Sequence, residues 1–171
     1  MIEPARLASL FAEHANACIG YARQFDPCTV DADAVVQEAF VRLMGQRQLP
    51  EQTRAWLLAT VRRLAIDALR SGNSRRLREQ AVAQDRPTWF EADPSASIDA
   101  RRAAELLRTL PDRQRETVVL RLWSGLTLTQ IAELLGVAVS TVHHDYNAAL
   151  ARLRNELEGQ THEPAVAESS R

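Results

Sequence analysis

The chain has 171 residues, enough for one or two small domains with real cores, and 46% of its residues are hydrophobic but only 5% aromatic. Its net charge of −1 excludes a globally basic nucleic-acid binder, and two cysteines, Cys18 and Cys28, are too few for a disulfide framework. No signal peptide and no apolar run of membrane length occur in it, so a cytoplasmic protein is expected.

The pattern is helical almost throughout. A first helix is predicted over roughly 4–24, with Leu7, Leu10, Phe11, Ala15, Cys18, Ile19 and Ala22 on a broad apolar face. His14 and Cys18 stand at i, i+4, which suits a metal pair. No further ligands follow at suitable spacing, so a buried structural Cys is the better reading of this pair, with no metal and no cofactor. After a break at Asp26-Pro-Cys-Thr29, a second helix starts at Asp31 and runs to about Gln46. Val35, Val36, Ala39, Phe40, Leu43 and Met44 form its stripe. Asp33, Gln37, Glu38 and Arg42 fall on its other side, an acidic-polar face suited to a basic or mixed protein partner.

Leu49-Pro50 interrupts the pattern, and a third helix runs from about Thr53 past Arg70. Trp56, Leu57, Val61, Leu64, Ala65, Ala68 and Leu69 face inward. Residues 54–78 hold seven arginines (54, 62, 63, 70, 75, 76, 78) against one acid, Asp67, a local net charge of +6. A cationic face with an interior Trp suits a surface that grips a single nucleic-acid strand, and a simply solvated Arg face is the alternative. All 21 basic residues are Arg; GC-rich coding explains that as well as phosphate recognition does.

Residues 85–97 read as a linker, since two prolines, small polar residues and acids break the helical period. Trp89-Phe90 inside it is either a docking anchor or packed on a domain. A second helical block follows at about 98–109, 112–124, 128–135 and 139–157, with Pro111 suited to a first helical position and Asp112 favourable beside it. Residues 159–171 are polar and expected to be disordered.

The stretch 125–142 reads as a helix-turn-helix. Thr127 and Gln130 have capping-box spacing. Ile131, Leu134 and Leu135 share one apolar face, and Ala132 leaves room for a close crossing. Gly136 can take the left-handed conformation that ends the helix, with Val137 and Val142 flanking the turn. The next helix, from Val139 or Ser140, is the candidate reader of base edges. Val142, Tyr146, Ala149 and Leu153 form a stripe that should close the core. Ser140, Thr141, His143, His144 and Asn147 are left to reach a major groove, with Arg113, Arg115 and Arg121 available for phosphates. The fold class expected is all-α: two small helical domains joined by a flexible linker, the C-terminal one a helix-turn-helix.

Three segments give the chain a family likeness. It resembles bacterial extracytoplasmic-function sigma factors of RNA polymerase over roughly 5–157. Asp31-Ala-Asp-Ala-Val-Val-Gln-Glu-Ala-Phe-Val-Arg-Leu43 looks like the helix such proteins press on the polymerase β′ clamp. Arg54-Ala-Trp-Leu-Leu-Ala-Thr-Val-Arg-Arg-Leu-Ala-Ile-Asp-Ala-Leu-Arg70 looks like the helix that melts and reads the −10 element. Leu107 to Arg154, with Leu110-Pro-Asp-Arg-Gln-Arg115 and the helix-turn-helix, looks like the −35 reader. The resemblance implies an N-terminal domain over 1–84 and a C-terminal domain over 98–158. It implies core-polymerase contacts at Asp33, Gln37, Glu38 and Arg42. It places −10 contacts at Arg62, Arg63, Arg70, Arg75 and Arg76. The −35 contacts fall at Arg113, Arg115, Ser140, Thr141, His143, His144 and Asn147. Partners implied are core RNA polymerase, through its β′ and β subunits, promoter DNA and an anti-sigma factor, without membrane insertion.

The sequence departs from the family pattern in places. Arg63 stands where the family usually has Asn, and Ala34 where a second acid is common. Ala138 replaces the usual Ser before the recognition helix, a lost N-cap that should cost about 1 kcal/mol locally. The recognition helix carries His143-His144-Asp145-Tyr146-Asn147 rather than several Arg or Lys. Two other functions compete: a simple helix-turn-helix operator-binding regulator, and a sigma-like decoy that occupies a partner without reading DNA. An enzyme is not expected, because no nucleophile set, glycine-rich phosphate loop or metal cluster occurs, and adjacent His143 and His144 point about 100° apart on a helix.

Overall fold

A computed structural model describes residues 2–26, 28–76 and 98–161, with side chains resolved over 2–71, at 102–103 and over 105–158 apart from Pro27. Seven helices follow in order: α1 (Pro4–Ala22), α2 (Ala32–Met44), α3 (Thr53–Arg76), α4 (Ile98–Arg108), α5 (Asp112–Leu122), α6 (Leu128–Leu135) and α7 (Val139–Thr161). The expected linker 85–97, with Trp89 and Phe90, and the tail beyond Thr161 lie outside the described residues.

Local chemistry sets the boundaries. Pro4 opens α1, where a missing N–H costs nothing. Asp31 caps α2 by accepting from the N–H groups of Asp33 and Ala34, both at 3.1 Å. Those two bonds satisfy orphan donors of the first turn. Before α3, the Thr53 hydroxyl donates to the Pro50 carbonyl at 2.8 Å. Pro111 precedes α5 as expected, acting as its extended N-cap rather than its first helical residue.

Helices α1–α3 pack around Leu10, Cys18, Tyr21, Val36, Ala39, Leu43, Leu57, Leu58 and Val61, each buried. Helices α5 and α7 close a smaller core of Leu107, Leu110, Val118, Val119 and Ala149, with Tyr146 and Leu153 packed against it. The larger core does not stop at the N-terminal helices. It runs on through Leu120, Leu126, Ile131, Ala132 and Val142 of the C-terminal block. Fully burying a Leu or Ile side chain gains roughly 1.5–3 kcal/mol, so this shared surface holds the two blocks together.

Several details differ from the sequence-based expectation. α1 ends at Ala22 and α2 at Met44, each about two residues early, while α7 continues to Thr161, into the segment expected to be disordered. Phe11 and Met44 were assigned to apolar faces but are 45% and 43% exposed, because they lie at the rim of the core, where neighbours cover only part of each side chain. Cys18 is buried; Cys28 is exposed, sitting in the turn after Asp26 rather than on a helix face.

Candidate nucleic-acid interface

The helix-turn-helix is built by three local devices. The Thr127 hydroxyl accepts from the Gln130 N–H at 3.2 Å, and the Gln130 side-chain oxygen accepts from the Thr127 N–H at 2.8 Å, a complete capping box. Gly136 ends α6 at φ 70°, left-handed backbone that an L side chain rarely adopts, and its N–H reaches the Ala132 carbonyl at 2.9 Å. Ala138 then accepts from the Val142 N–H at 3.2 Å and starts α7 with no side chain able to cap it.

On α7, Ser140, His143, His144 and Asn147 are all exposed, and Thr141 is half-buried. The four exposed residues stand at i, i+3, i+4 and i+7 and so form one polar stripe. Val142 and Ala149 are fully buried on the opposite side. Asp145, the lone acid among these residues, also turns inward at 3% exposure. There its carboxylate accepts from Arg113 Nε at 2.5 Å and a terminal nitrogen at 3.2 Å. This fork-on-carboxylate contact ties α5 to the recognition helix.

The arginines of α5 are thus already engaged. Arg113 holds Asp145, Arg115 donates to Asp112 at 2.5 Å, and Arg121 donates to the Leu126 carbonyl at 2.9 Å. Arg115 is only 19% exposed and Arg113 55%. Each of these contacts fixes the plane of a guanidinium that carries five N–H donors.

On α3, Arg63 and Arg70 are exposed seven residues apart on one face, and Arg70 lies 3.8 Å from Asp67. Trp56 packs against the core instead of standing free. Arg75 and Arg76 lie within the helical backbone of α3, but their side chains lie outside the described residues. Arg62 behaves differently: it is 28% exposed and donates from Nε to Glu116 of α5 at 3.0 Å.

The outer side of α2 exposes Asp33, Gln37, Glu38 and Arg42, with Glu38 and Arg42 paired at 2.8 Å. Val41 (58% exposed), Met44 and Phe11 add an apolar edge, and the Phe11 ring sits 4.9 Å from that of Phe40. Sequence reading missed Val41. Its signal was available, since it falls off the Val35–Leu43 stripe and four residues after Gln37.

Glu116 was also missed. The Tyr21 hydroxyl donates to the same carboxylate oxygen as Arg62, at 2.5 Å. Burial first, and then the Glu116 charge, push the Tyr21 phenol well above its usual value, so it remains a donor at any physiological pH. Nearby, Gln130 donates to Gln52 at 2.7 Å and Arg54 reaches the Ser124 carbonyl at 3.4 Å. Between them lies an open cleft of about 420 Å³ lined by Arg6, Glu13, His14, Arg54, Gly125 and Gln130. Among the described residues no three His, Cys, Asp or Glu side chains are grouped to hold a metal. No described helix is long and apolar enough to cross a membrane.

Comparison with known proteins places both halves. Residues 10–76 match Sigma-70 region 2 and residues 100–153 match Sigma-70, region 4. The RNA polymerase sigma-E factor of Streptomyces avermitilis is 33% identical over 147 residues, covering 85% of this chain and 81% of that one. The ECF RNA polymerase sigma factor SigK of Mycobacterium tuberculosis is 35% identical over 108 residues, 61% of this chain and 58% of its own. A longer relative, named Probable RNA polymerase sigma factor RfaY, from Xanthomonas campestris pv. campestris, is 34% identical over 74% of this chain; the match spans 34% of its length. In fold, the sigma factor RpoE of Bartonella quintana, solved with the anti-sigma factor NepR, superimposes with a TM-score of 0.71 at 18% identity, over 88% of this chain and 96% of that one. The chain belongs to the extracytoplasmic-function sigma factors, transcription-initiation subunits of bacterial RNA polymerase that are not themselves enzymes.

Proposed function

We infer that this chain binds core RNA polymerase in the cytoplasm and directs it to a set of promoters. The observation that carries this reading is the coexistence on one chain of two exposed surfaces: the polar stripe of Ser140, His143, His144 and Asn147 on a capped recognition helix, and the cationic face of α3. Ser140 and His143 lie nearest the N-terminus of α7, where helix-turn-helix proteins touch base edges. Thr141 supports them from the flank, and Arg113 and Arg115 position the duplex through phosphates. Arg62, Arg63, Arg70, Arg75 and Arg76 take the strand of the −10 element, with Trp56 as scaffold. Asp33, Gln37, Glu38 and Arg42, edged by Val41 and Met44, meet the β′ and β subunits.

An anti-sigma protein is a further partner under this reading, by likeness to the Bartonella protein. In vitro transcription with sigma-free core polymerase and a genomic promoter library tests the whole assignment. Specific start sites are expected. Tight core binding with no start sites would instead make the chain a decoy. Glu38→Arg, with the fold checked by circular dichroism, is expected to weaken association with core polymerase severalfold; unchanged affinity removes α2 from that interface.

A further inference from the structure

We propose that the cleft beside His14 binds a small phosphorylated sugar, with Arg6 and Arg54 taking the phosphate and His14, Glu13 and Glu51 accepting from the sugar hydroxyls. None of the residues assigned above to polymerase or promoter lines this cleft, so the site is separate from both surfaces.

Three stretches of the chain build it. α1 supplies Arg6, Glu13 and His14, the entry to α3 supplies Glu51 and Arg54, and the connection from α5 to α6 supplies Gly125. Its volume of about 420 Å³ falls within the roughly 300–1,000 Å³ of small-molecule sites. Buried polar groups are ordinarily paired, yet two here are not. His14 is 5% exposed and its Nδ1 has no hydrogen-bond partner. Ser124, next to Gly125 in the chain and fully buried, has an unpartnered hydroxyl.

The cations converge on one point. Burial lowers the His14 pKa most; Glu13 opposes, and Arg54 and Arg6 then lower it further, so both guanidiniums act on the same ring. Arg54 is weakly held. It reaches the Ser124 carbonyl at 3.4 Å and Glu13 at 3.8 Å, both longer than the roughly 2.7–2.9 Å of a strong charge-assisted bond. Gly125 stands at φ 65°, and a Cβ there would meet Arg54 Nη1 at 3.2 Å, so bare backbone gives this guanidinium its room. A phosphate monoester can accept two parallel N–H bonds from such a fork and outcompetes a long contact to a carboxylate.

The acceptors select the rest of the ligand. A bare phosphate gains nothing from Glu13 and Glu51, whereas hydroxyl groups donate to both. His14 Nε2 lies 3.6 Å from Glu13, which favours the proton on Nε2 and leaves Nδ1 an acceptor. The terminal torsion of a histidine is broad, so a small turn of the ring presents Nδ1 to a hydroxyl in the cleft. No aromatic side chain is among the lining residues, so a nucleobase finds no stacking platform there. Phosphate at one end and hydroxyls at the other describe a sugar phosphate.

The test is isothermal titration of the full chain with ribose 5-phosphate, glucose 6-phosphate, inorganic phosphate, ribose and AMP at constant ionic strength. At least one sugar phosphate is expected to bind at about 0.1 mM or tighter, roughly tenfold tighter than inorganic phosphate or ribose, with AMP no tighter. The melting temperature should rise with its concentration. Arg6→Gln, at an exposed position, should weaken it about tenfold. His14→Leu should bring it down to the level of inorganic phosphate. The charge-matched Arg23→Gln, at the other end of α1, should leave it unchanged. Circular dichroism confirms that each variant is folded. No saturable binding of either sugar phosphate up to about 10 mM overturns the site. Inorganic phosphate binding equally well, or AMP binding tenfold tighter, overturns the sugar-phosphate class. Equal losses in Arg6→Gln and Arg23→Gln would mean diffuse attraction to a basic surface, and the cleft is then not the site.

Discussion

Arg113 and Asp145 close on each other across α5 and α7, Nε to one carboxylate oxygen at 2.5 Å and a terminal nitrogen to the other at 3.2 Å. The Asp145 side chain is 5% exposed in this contact. The acid that would make the recognition helix unattractive to DNA is therefore neutralised and turned away from the groove. Asp145→Asn keeps the shape but removes the charge that holds Arg113. It is expected to lower the melting temperature by a few degrees, since about 1 kcal/mol shifts a domain of this size by roughly 4–8 °C. A melting curve that superimposes on the wild type would show the pair to be without energetic consequence.

Ala138 starts α7 without a side-chain acceptor for the first-turn N–H groups. Ala138→Ser supplies one. A gain of about 1 kcal/mol is expected, read as a higher denaturant midpoint with unchanged slope. Because the added hydroxyl rigidifies the end of the helix nearest the groove, duplex affinity should rise as well. No gain in stability would mean that the first turn of α7 is already satisfied by water.

Cys18 is fully buried, and burial pushes its thiol up to about 12, with Arg54 opposing. Cys28 is exposed. In native protein near pH 8, a thiol reagent should modify Cys28 quickly and leave Cys18 untouched until the N-terminal helices unfold. Mass mapping of the adduct checks this; rapid modification of Cys18 in folded protein would mean that α1 opens locally.

His14 is buried, and its Nδ1 has no hydrogen-bond partner. Burial lowers its pKa below the ordinary 6.5, with Arg54 and Arg6 adding to the shift and Glu13 opposing it. The unfolded chain then binds more protons than the native one below pH 6.5. Stability should be full above that value and fall as pH drops through the lowered native pKa. His14→Leu should remove this part of the slope just below pH 6.5, above the range where carboxylates titrate. Thermal melts across the window decide it: equal slopes for both proteins would mean His14 does not titrate differently on folding.

What could be read in advance was what local chemistry decides. Asp31 before α2, Thr127 with Gln130, Gly136 at the end of α6 and the 142/146/149/153 stripe each declare themselves within a turn or two of helix. The contacts that matter most for the site do not. Asp145 meets Arg113 across 32 residues, and Glu116 meets Tyr21 across 95, and nothing in the neighbourhood of either acid selects its partner. Periodicity also cannot tell a helix face that a neighbour covers from its uncovered rim. This is why Leu43 is buried while Met44, one residue on and given to the same stripe, is 43% exposed.

His143 and Arg115 separate base reading from phosphate positioning. His143 lies on the exposed stripe of α7, one helical turn from its start, with ring nitrogens free to approach a base edge. Arg115 lies on α5, not on the recognition helix, 19% exposed and with its guanidinium on Asp112, and its proposed role is a phosphate contact. In a scan of every substitution across the −35 element, His143→Ala should change preference at one or two base pairs, by roughly 1–3 kcal/mol, and leave the rest of the profile intact. Arg115→Ala should weaken all sequences nearly equally and reduce the salt dependence of binding by about one unit of slope. The salt series guards against a trivial outcome: a loss of fold would depress both variants alike without changing the slope selectively. Should His143→Ala match the wild type at every position, the stripe does not read bases, and the weight moves to a chain that occupies polymerase or an anti-sigma protein without choosing promoters.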